Sequence, residues 1–207
     1  MVEDRSVEFD GRVVRYCLYG HADGFPVIAQ NGSPSTRWRR PDQIEAMHRS
    51  GVRVLMPDRP GYGGSTRRPG RRVADVAEDV RVLADAQGWD RFAVFGGSGG
   101  GPELPGIPPL TPARDDPAAM ARLRATFIDS HDGWVDDKIA FAQPWGFAMP
   151  DGAIPVGIWH GTHDETVSSE HAQWLLAHIP GARGHQYAGG HLPGPDTFQE
   201  IYEWLRG

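Results

Sequence analysis

The run Phe95-Gly96-Gly97-Ser98-Gly99-Gly100 follows directly on the apolar stretch Phe92-Ala93-Val94-Phe95, and it constrains this chain more than any other feature. It reads G-x-S-x-G at the end of a buried strand, the pattern of a sharp strand-to-turn bend that lifts one serine hydroxyl clear of a sheet. The bend forces the serine into a strained backbone conformation, and neighbours without a Cβ let the chain pass close by. Two other readings of the same residues are a flexible Gly/Ser linker and a turn that cradles a phosphate. Neither a P-loop pattern nor a complete G-x-G-x-x-G is present, which counts against the phosphate.

The segments before Ser98 alternate in a regular way. Residues 5–9 and 12–18 predict a hairpin turning at Asp10-Gly11. Pro26 to Gln30 predicts a short strand that ends in the turn-rich Asn31-Gly32-Ser33-Pro34-Ser35. A helix is expected from Pro41 to Ser50, with Pro41 in its first turn, Asp42 at its N-terminal dipole and Gly51 as its stop. Val52 to Met56 is the next strand, followed by the loop Pro57-Asp58-Arg59-Pro60-Gly61-Tyr62-Gly63-Gly64-Ser65. In that loop Asp58 and Arg59 are expected to brace the rim, and the basic stretch Arg67 to Arg72 to be solvated. Val73, Val76, Ala77, Val80, Leu83 and Ala84 then trace an amphipathic helix stopped by Gly88. Such a β-α-β-α-β succession predicts a parallel sheet with helices on its faces, where ligands collect at the carboxyl ends of the strands. Ser98, the 31–35 turn and the 57–65 loop should therefore share one rim.

Beyond Ser98 the pattern changes. Residues 102–112 hold Pro102, Pro105, Pro108, Pro109 and Pro112, a density that no long helix survives. A helical pattern resumes over Ala118 to Ile128, and Asp132 to Phe147 reads as a short aromatic-rich helix plus loop. Pro155 to Trp159 is a strand running into His160-Gly161-Thr162-His163-Asp164, Ser168 to Ile179 a helix, and Gly184 to Tyr187 a short strand. The latter leads to Gly189-Gly190-His191 and a last helix, Pro195 to Leu205. With 207 residues and no internal repeat, the expectation is one domain over 1–207, with 102–150 a shortened lid or irregular insertion within it.

Composition excludes several classes. Apolar content of 39% is that of a globular chain, and a net charge of −6 with Arg interspersed among Asp and Glu carries no nucleic-acid footprint. Cys17 is alone, so no internal disulfide forms; in the alternating run Val13 to Leu18 it reads as a packed core thiol. No apolar leader and no membrane-length stretch is seen, so a soluble cytoplasmic protein is expected.

A serine hydroxyl needs a base to remove its proton, normally a histidine held in one tautomer by a carboxylate. The order Ser98, Asp164, His191, with Asn31-Gly32-Ser33-Pro34, Asp58-Arg59-Pro60-Gly61-Tyr62-Gly63, Gly96-Gly97-Ser98-Gly99-Gly100, His160-Gly161-Thr162-His163-Asp164 and Gly189-Gly190-His191, resembles the α/β-hydrolase fold family over almost the whole chain. The resemblance implies an α/β fold with a mostly parallel central sheet and helices on both faces. It implies Ser98 as nucleophile, His191 as general base, Asp164 as the orienting carboxylate, and the backbone N–H groups of Ser33 and Gly99 as the oxyanion hole. The family's turn usually begins with His where Asn31 stands here, a change that backbone donors tolerate. The chain also departs from the family after Ser98: the interval to Asp164 leaves little room, as though the helix behind the nucleophile, one sheet strand and the start of the lid were missing. The sheet would then present an uncovered apolar face, which invites a homodimer.

Other assignments compete at each position. Asp129, Asp132, Asp136 and Asp137 could supply the carboxylate in place of Asp164, and most of the nine histidines have structural explanations. His160, His163, Asp164 and His191 could suggest a metal, but their spacing on a strand end and turn disfavours it. The expected function is a serine hydrolase acting on a small ester, lactone, amide or related acyl substrate, carboxylesterase-like, with no cofactor and no metal. The other expectation is a catalytically impaired protein of the same fold that binds a ligand or a partner.

Overall fold

The computed structural model describes residues 2–98, 117–148 and 154–207. It opens with the expected hairpin, β1 (Glu3–Phe9) and β2 (Arg12–Gly20), whose register closes at Phe9 opposite Arg12. The turn residues Asp10 and Gly11 have φ of 50° and 66°, the pair of positive values that a two-residue turn needs to match strand twist. Then follow β3 (Phe25–Gln30), α1 (Pro41–Arg49) and β4 (Val52–Pro57). A single 3₁₀ turn (Val73–Asp75) leads into α2 (Val76–Gln87), which ends on Gly88 in the left-handed conformation, φ 68°.

These elements make a five-stranded sheet ordered β1-β2-β4-β3-β5, with β5 spanning Ala93–Gly96. β3 pairs in parallel with β4 on one side and β5 on the other, while β1, β2 and β4 pair antiparallel. Side chains alternate across β3. Val27 and Ala29 join Met47 and Tyr202 on the face covered by α1 and by α6 (Pro195–Arg206). Ile28 joins Leu55, Leu83 and Ala84 on the face covered by α2. All six residues of β4 are buried, as a strand covered on both faces requires.

The remaining described elements are α3 (Pro117–Thr126), α4 (Asp132–Phe141), β6 (Gly157–Gly161), α5 (Ser169–His178) and β7 (Arg183–Tyr187). The strand expected at Pro155 begins two residues later, because its ladder opens with Gly157 opposite Arg183 and Pro155 has no N–H to contribute. The central sheet comes in two pieces: β6 and β7 pair in parallel as a separate ribbon, and among the described residues no strand lies between β5 and β6. Val94 marks the consequence. It is opposite Ile28 and on the same face, yet 53% exposed where Ile28 is fully buried. The helix expected behind Ser98 and the proline-rich stretch 102–112 lie outside the described residues. Among the described residues no helix is long and apolar enough to cross a membrane.

Burial predicts how two strand residues differ. Leu55 has no exposed surface, so Leu55→Ala should lower the unfolding free energy by roughly 3 kcal/mol. Val94→Ala, on the strand before Ser98 but half exposed, should cost less than about 1 kcal/mol. Urea denaturation of both variants reads the contrast; equal losses would mean that β5 is covered in solution.

Candidate active site

The parallel register of β3 and β5 places Gln30 opposite Gly96, so the turns that follow leave the sheet side by side. Ser98 sits just past the end of β5 with φ +54°, a strained value for a residue with a Cβ. The neighbouring turn has glycine at its closest approach. A Cβ on Gly32 would stand 3.3 Å from Ser98 Cβ, 3.4 Å from Gly97 O and 3.8 Å from Ser98 Oγ.

The rest of that turn is held from below and from the side. Asn31 Nδ2 donates to Pro57 O at 2.7 Å, tying it to the end of β4. Ser33 Oγ donates to Asp137 Oδ2 at 2.8 Å, and Tyr62 OH donates to the same oxygen at 2.7 Å. No hydrogen bond from the Ser33 N–H is found among the described residues, which leaves that donor available. Gly99, its expected companion, lies outside the described residues.

Asp137 is the residue that organises this side of the rim. Its carboxylate also lies 2.9 Å from Arg59 and accepts from Arg71 at 2.6 Å. Arg71 further donates to Gly133 O at 3.0 Å, and Arg67 grips the neighbouring Asp136. The 57–65 loop is also braced by Asp58, which neighbours Arg59 and is buried and paired with Arg37, whose backbone N–H it accepts at 2.6 Å. Asp58 and Arg59 thus brace the rim as expected. The basic stretch 67–72, expected in solvent, is partly internal: Arg71 is buried because a buried carboxylate pair needs cationic partners. Sequence reasoning weighed Asp136 and Asp137 only as rivals of Asp164. The signal for their role was an acidic doublet between Trp134 and Phe141, facing an arginine-rich loop.

On the ribbon side, Asp164 and His191 are brought together. Asp164 Oδ2 lies 3.0 Å from His191 Nδ1, and Oδ1 accepts the N–H groups of Thr166 at 2.8 Å and Val167 at 2.9 Å. The loop carrying His191 is pinned to β6: a Cβ on Gly161 would stand only 2.2 Å from Gly190 O, and His163 N–H donates to Gly189 O at 2.8 Å. Tyr187 OH donates to His191 O at 3.1 Å. Burial works against ionisation of Asp164, but the Val167 amide, the His191 ring and the Thr166 amide outweigh it and hold the carboxyl below its ordinary value. With Nδ1 facing a carboxylate, Nε2 carries the lone pair of the neutral ring. Nε2 is buried and has no hydrogen-bond partner, Ser98 Oγ included, among the described residues.

The other histidines of this corner point elsewhere. His160 Nε2 meets Val167 O at 3.2 Å and His163 Nδ1 meets Thr162 Oγ1 at 3.0 Å. Among the described residues no group of three or more His, Cys, Asp or Glu side chains is placed to hold a metal ion. Cys17 is fully buried, and burial pushes its thiol up to about 11, so it is inert packing.

With this geometry in place, the comparisons with known proteins agree on the fold. Residues 24–103 match the family model of the alpha/beta hydrolase fold. The chain superposes on a hydrolase from Pseudomonas aeruginosa with a TM-score of 0.74 at 22% identity, over 99% of this chain and 98% of that one. It superposes on the enol-lactonase from Burkholderia xenovorans with a TM-score of 0.76 at 19% identity, over 98% and 100%. The chain has the α/β-hydrolase fold. A curated relative, epoxide hydrolase A of Mycobacterium tuberculosis, is 33% identical over 94% of this chain. The match spans 61% of that relative's length.

Two substitutions test the two halves of the site. Asp137→Ala removes the carboxylate that pairs with Arg59 and with the buried Arg71 and should destabilise the protein by roughly 3 kcal/mol, measured by urea denaturation. Asp164→Asn should be less stable than the parent at pH 7. Because the folded carboxyl titrates below an unfolded aspartate, the advantage is present above roughly pH 4 and is lost as pH falls through the folded value. Stability curves of the two proteins should therefore converge in acid.

Proposed function

We propose that the chain is a serine hydrolase that cleaves a small ester, lactone, amide or related acyl substrate through an acyl-enzyme. Ser98 Oγ attacks the acyl carbon while His191 Nε2 takes its proton and passes it to the leaving group. Water then enters by the same route in reverse and releases the acid. Asp164 keeps His191 in the tautomer with Nε2 free. The N–H groups of Ser33 and Gly99 hold the oxyanion, each supplying roughly 3 kcal/mol to the transition state. The aromatic residues of the 134–147 segment line the acyl or leaving-group pocket.

One observation carries this reading: a part-buried imidazole fixed at 3.0 Å by the Asp164 carboxylate, with its other nitrogen buried and without a hydrogen-bond partner among the described residues. A ring so placed lacks the one hydrogen bond that a nucleophile's hydroxyl supplies. The strained backbone of Ser98 supports the same assignment, and the relative named as an epoxide hydrolase supports hydrolysis in general. A second reading, a binding protein of the same fold without catalysis, rests on the exposed Val94 and on the absence of a strand between β5 and β6 among the described residues.

A fluorophosphonate probe separates the two. Stoichiometric labelling of the parent, absent in Ser98→Ala, is expected. His191→Ala should lower turnover of a short p-nitrophenyl ester at least a thousandfold. An unlabelled but cooperatively folded parent would select the binding protein.

A further inference from the structure

The Ser33 N–H belongs to the proposed oxyanion hole, and its own backbone does little to aim it. Gly32 before it has no side chain, and the Gly32–Ser33 peptide makes no backbone hydrogen bond among the described residues. Two side-chain bonds flank that peptide instead. Asn31 Nδ2 donates to Pro57 O on one side, and on the other Ser33 Oγ donates to Asp137 Oδ2 at 2.8 Å. A serine has a single side-chain torsion, so an anchored Oγ holds the backbone from which it hangs.

The anchor is firmer than an ordinary hydroxyl contact. Tyr62 OH gives its one proton to the same Oδ2 at 2.7 Å, so the two hydroxyls, 3.1 Å apart, converge on one ionised acceptor rather than on each other. Arg71 donates to Oδ1 at 2.6 Å and Arg59 lies 2.9 Å from Oδ2. Two cations thus keep the carboxylate charged and offset its repulsion of an oxyanion nearby. The same charges seat α4 itself. Its buried side carries Asp136 and Asp137, while Val135 and Ile139 are half exposed.

We propose that Asp137 is a positioning residue for the oxyanion hole: through the Ser33 hydroxyl it sets the direction of the Ser33 N–H and makes that donor depend on the seating of α4. The inference rests on the serine reading of Ser98 and extends it to a residue that never touches the substrate. An oxyanion donor acts only at hydrogen-bond distance from the place where the charge develops, and a displacement of about 1 Å is enough to cost much of its effect. The substrate's own carbonyl is held less closely than the oxyanion, so the loss falls on turnover and not on substrate binding.

The test is a double-mutant cycle on the full-length protein, assayed with a short p-nitrophenyl ester alongside fluorophosphonate labelling of the parent. Ser33→Ala keeps the N–H but frees it from Asp137, and kcat should fall at least tenfold with KM within about threefold of the parent. Asp137→Asn should also lower kcat at least tenfold in the parent, yet by less than about twofold in the Ser33→Ala background, because its effect passes through the hydroxyl. Asp137→Glu, which keeps a charge for Arg59 and Arg71 but displaces the acceptor, takes its place in the cycle should Asp137→Asn not fold. Urea denaturation establishes that each variant is folded under the assay conditions. Equal losses from the Asp137 variant in both backgrounds, as a merely structural role gives, or a Ser33→Ala protein that turns over like a labelled parent, would overturn the positioning role alone. A folded parent that the probe leaves unlabelled would overturn the serine reading and this role with it.

Discussion

The parallel pairing of β3 between β4 and β5 is the constraint on which the rest depends. Because Gln30 ends its strand opposite Gly96, the chain leaves the sheet at two adjacent points, and both turns have to fit in one strand spacing, about 4.8 Å. Gly32 and the left-handed Ser98 are the local answer to that crowding. A β-carbon at 32 would press on the serine, and a relaxed backbone at 98 would point the hydroxyl away from the rim. Register therefore sets the chemistry before any catalytic group is considered.

Around that crossing the site is built from two independently braced halves. One is the rim of Ser33, Tyr62, Arg59 and Arg71, closed by a single carboxylate on α4. Buried ion pairs of this kind contribute little net stability but strongly resist the loss of one member, so Asp137 works as a clasp. The other half is the ribbon of β6 and β7, where glycine carbonyls packed on Gly161 fix the loop bearing His191. Each half is held rigidly, and the strand that would join them in one sheet is not among the described residues.

That break has an energetic signature as well as a geometric one. Val94 is half exposed although its partner Ile28 on β3 is wholly buried, and α5 buries none of its residues. Apolar surface left open on a central strand is a standing cost and a surface that other apolar groups will cover. The same face holds Gln30 with both amide atoms unpartnered. Among the described residues, the region around β5 thus leaves apolar surface open and buried polar atoms unpartnered.

Much of this could be read from the residues in order. Hydrophobic alternation, capping residues and turn glycines act over a few neighbours, so the hairpin, α1, α2 with its Gly88 stop, and the strand before Ser98 follow from local sterics and the period of the apolar residues. The Asp164 and His191 motifs were legible for the same reason: each lies in a short glycine-bounded turn after a strand. What the chain order could not decide is pairing across distance. That Asp137 takes Arg71 from a loop expected in solvent, and that among the described residues β6 and β7 pair apart from β5, depend on which groups are excluded from water together. Burial of that kind is a property of the packed whole, and only the tertiary structure assigns it.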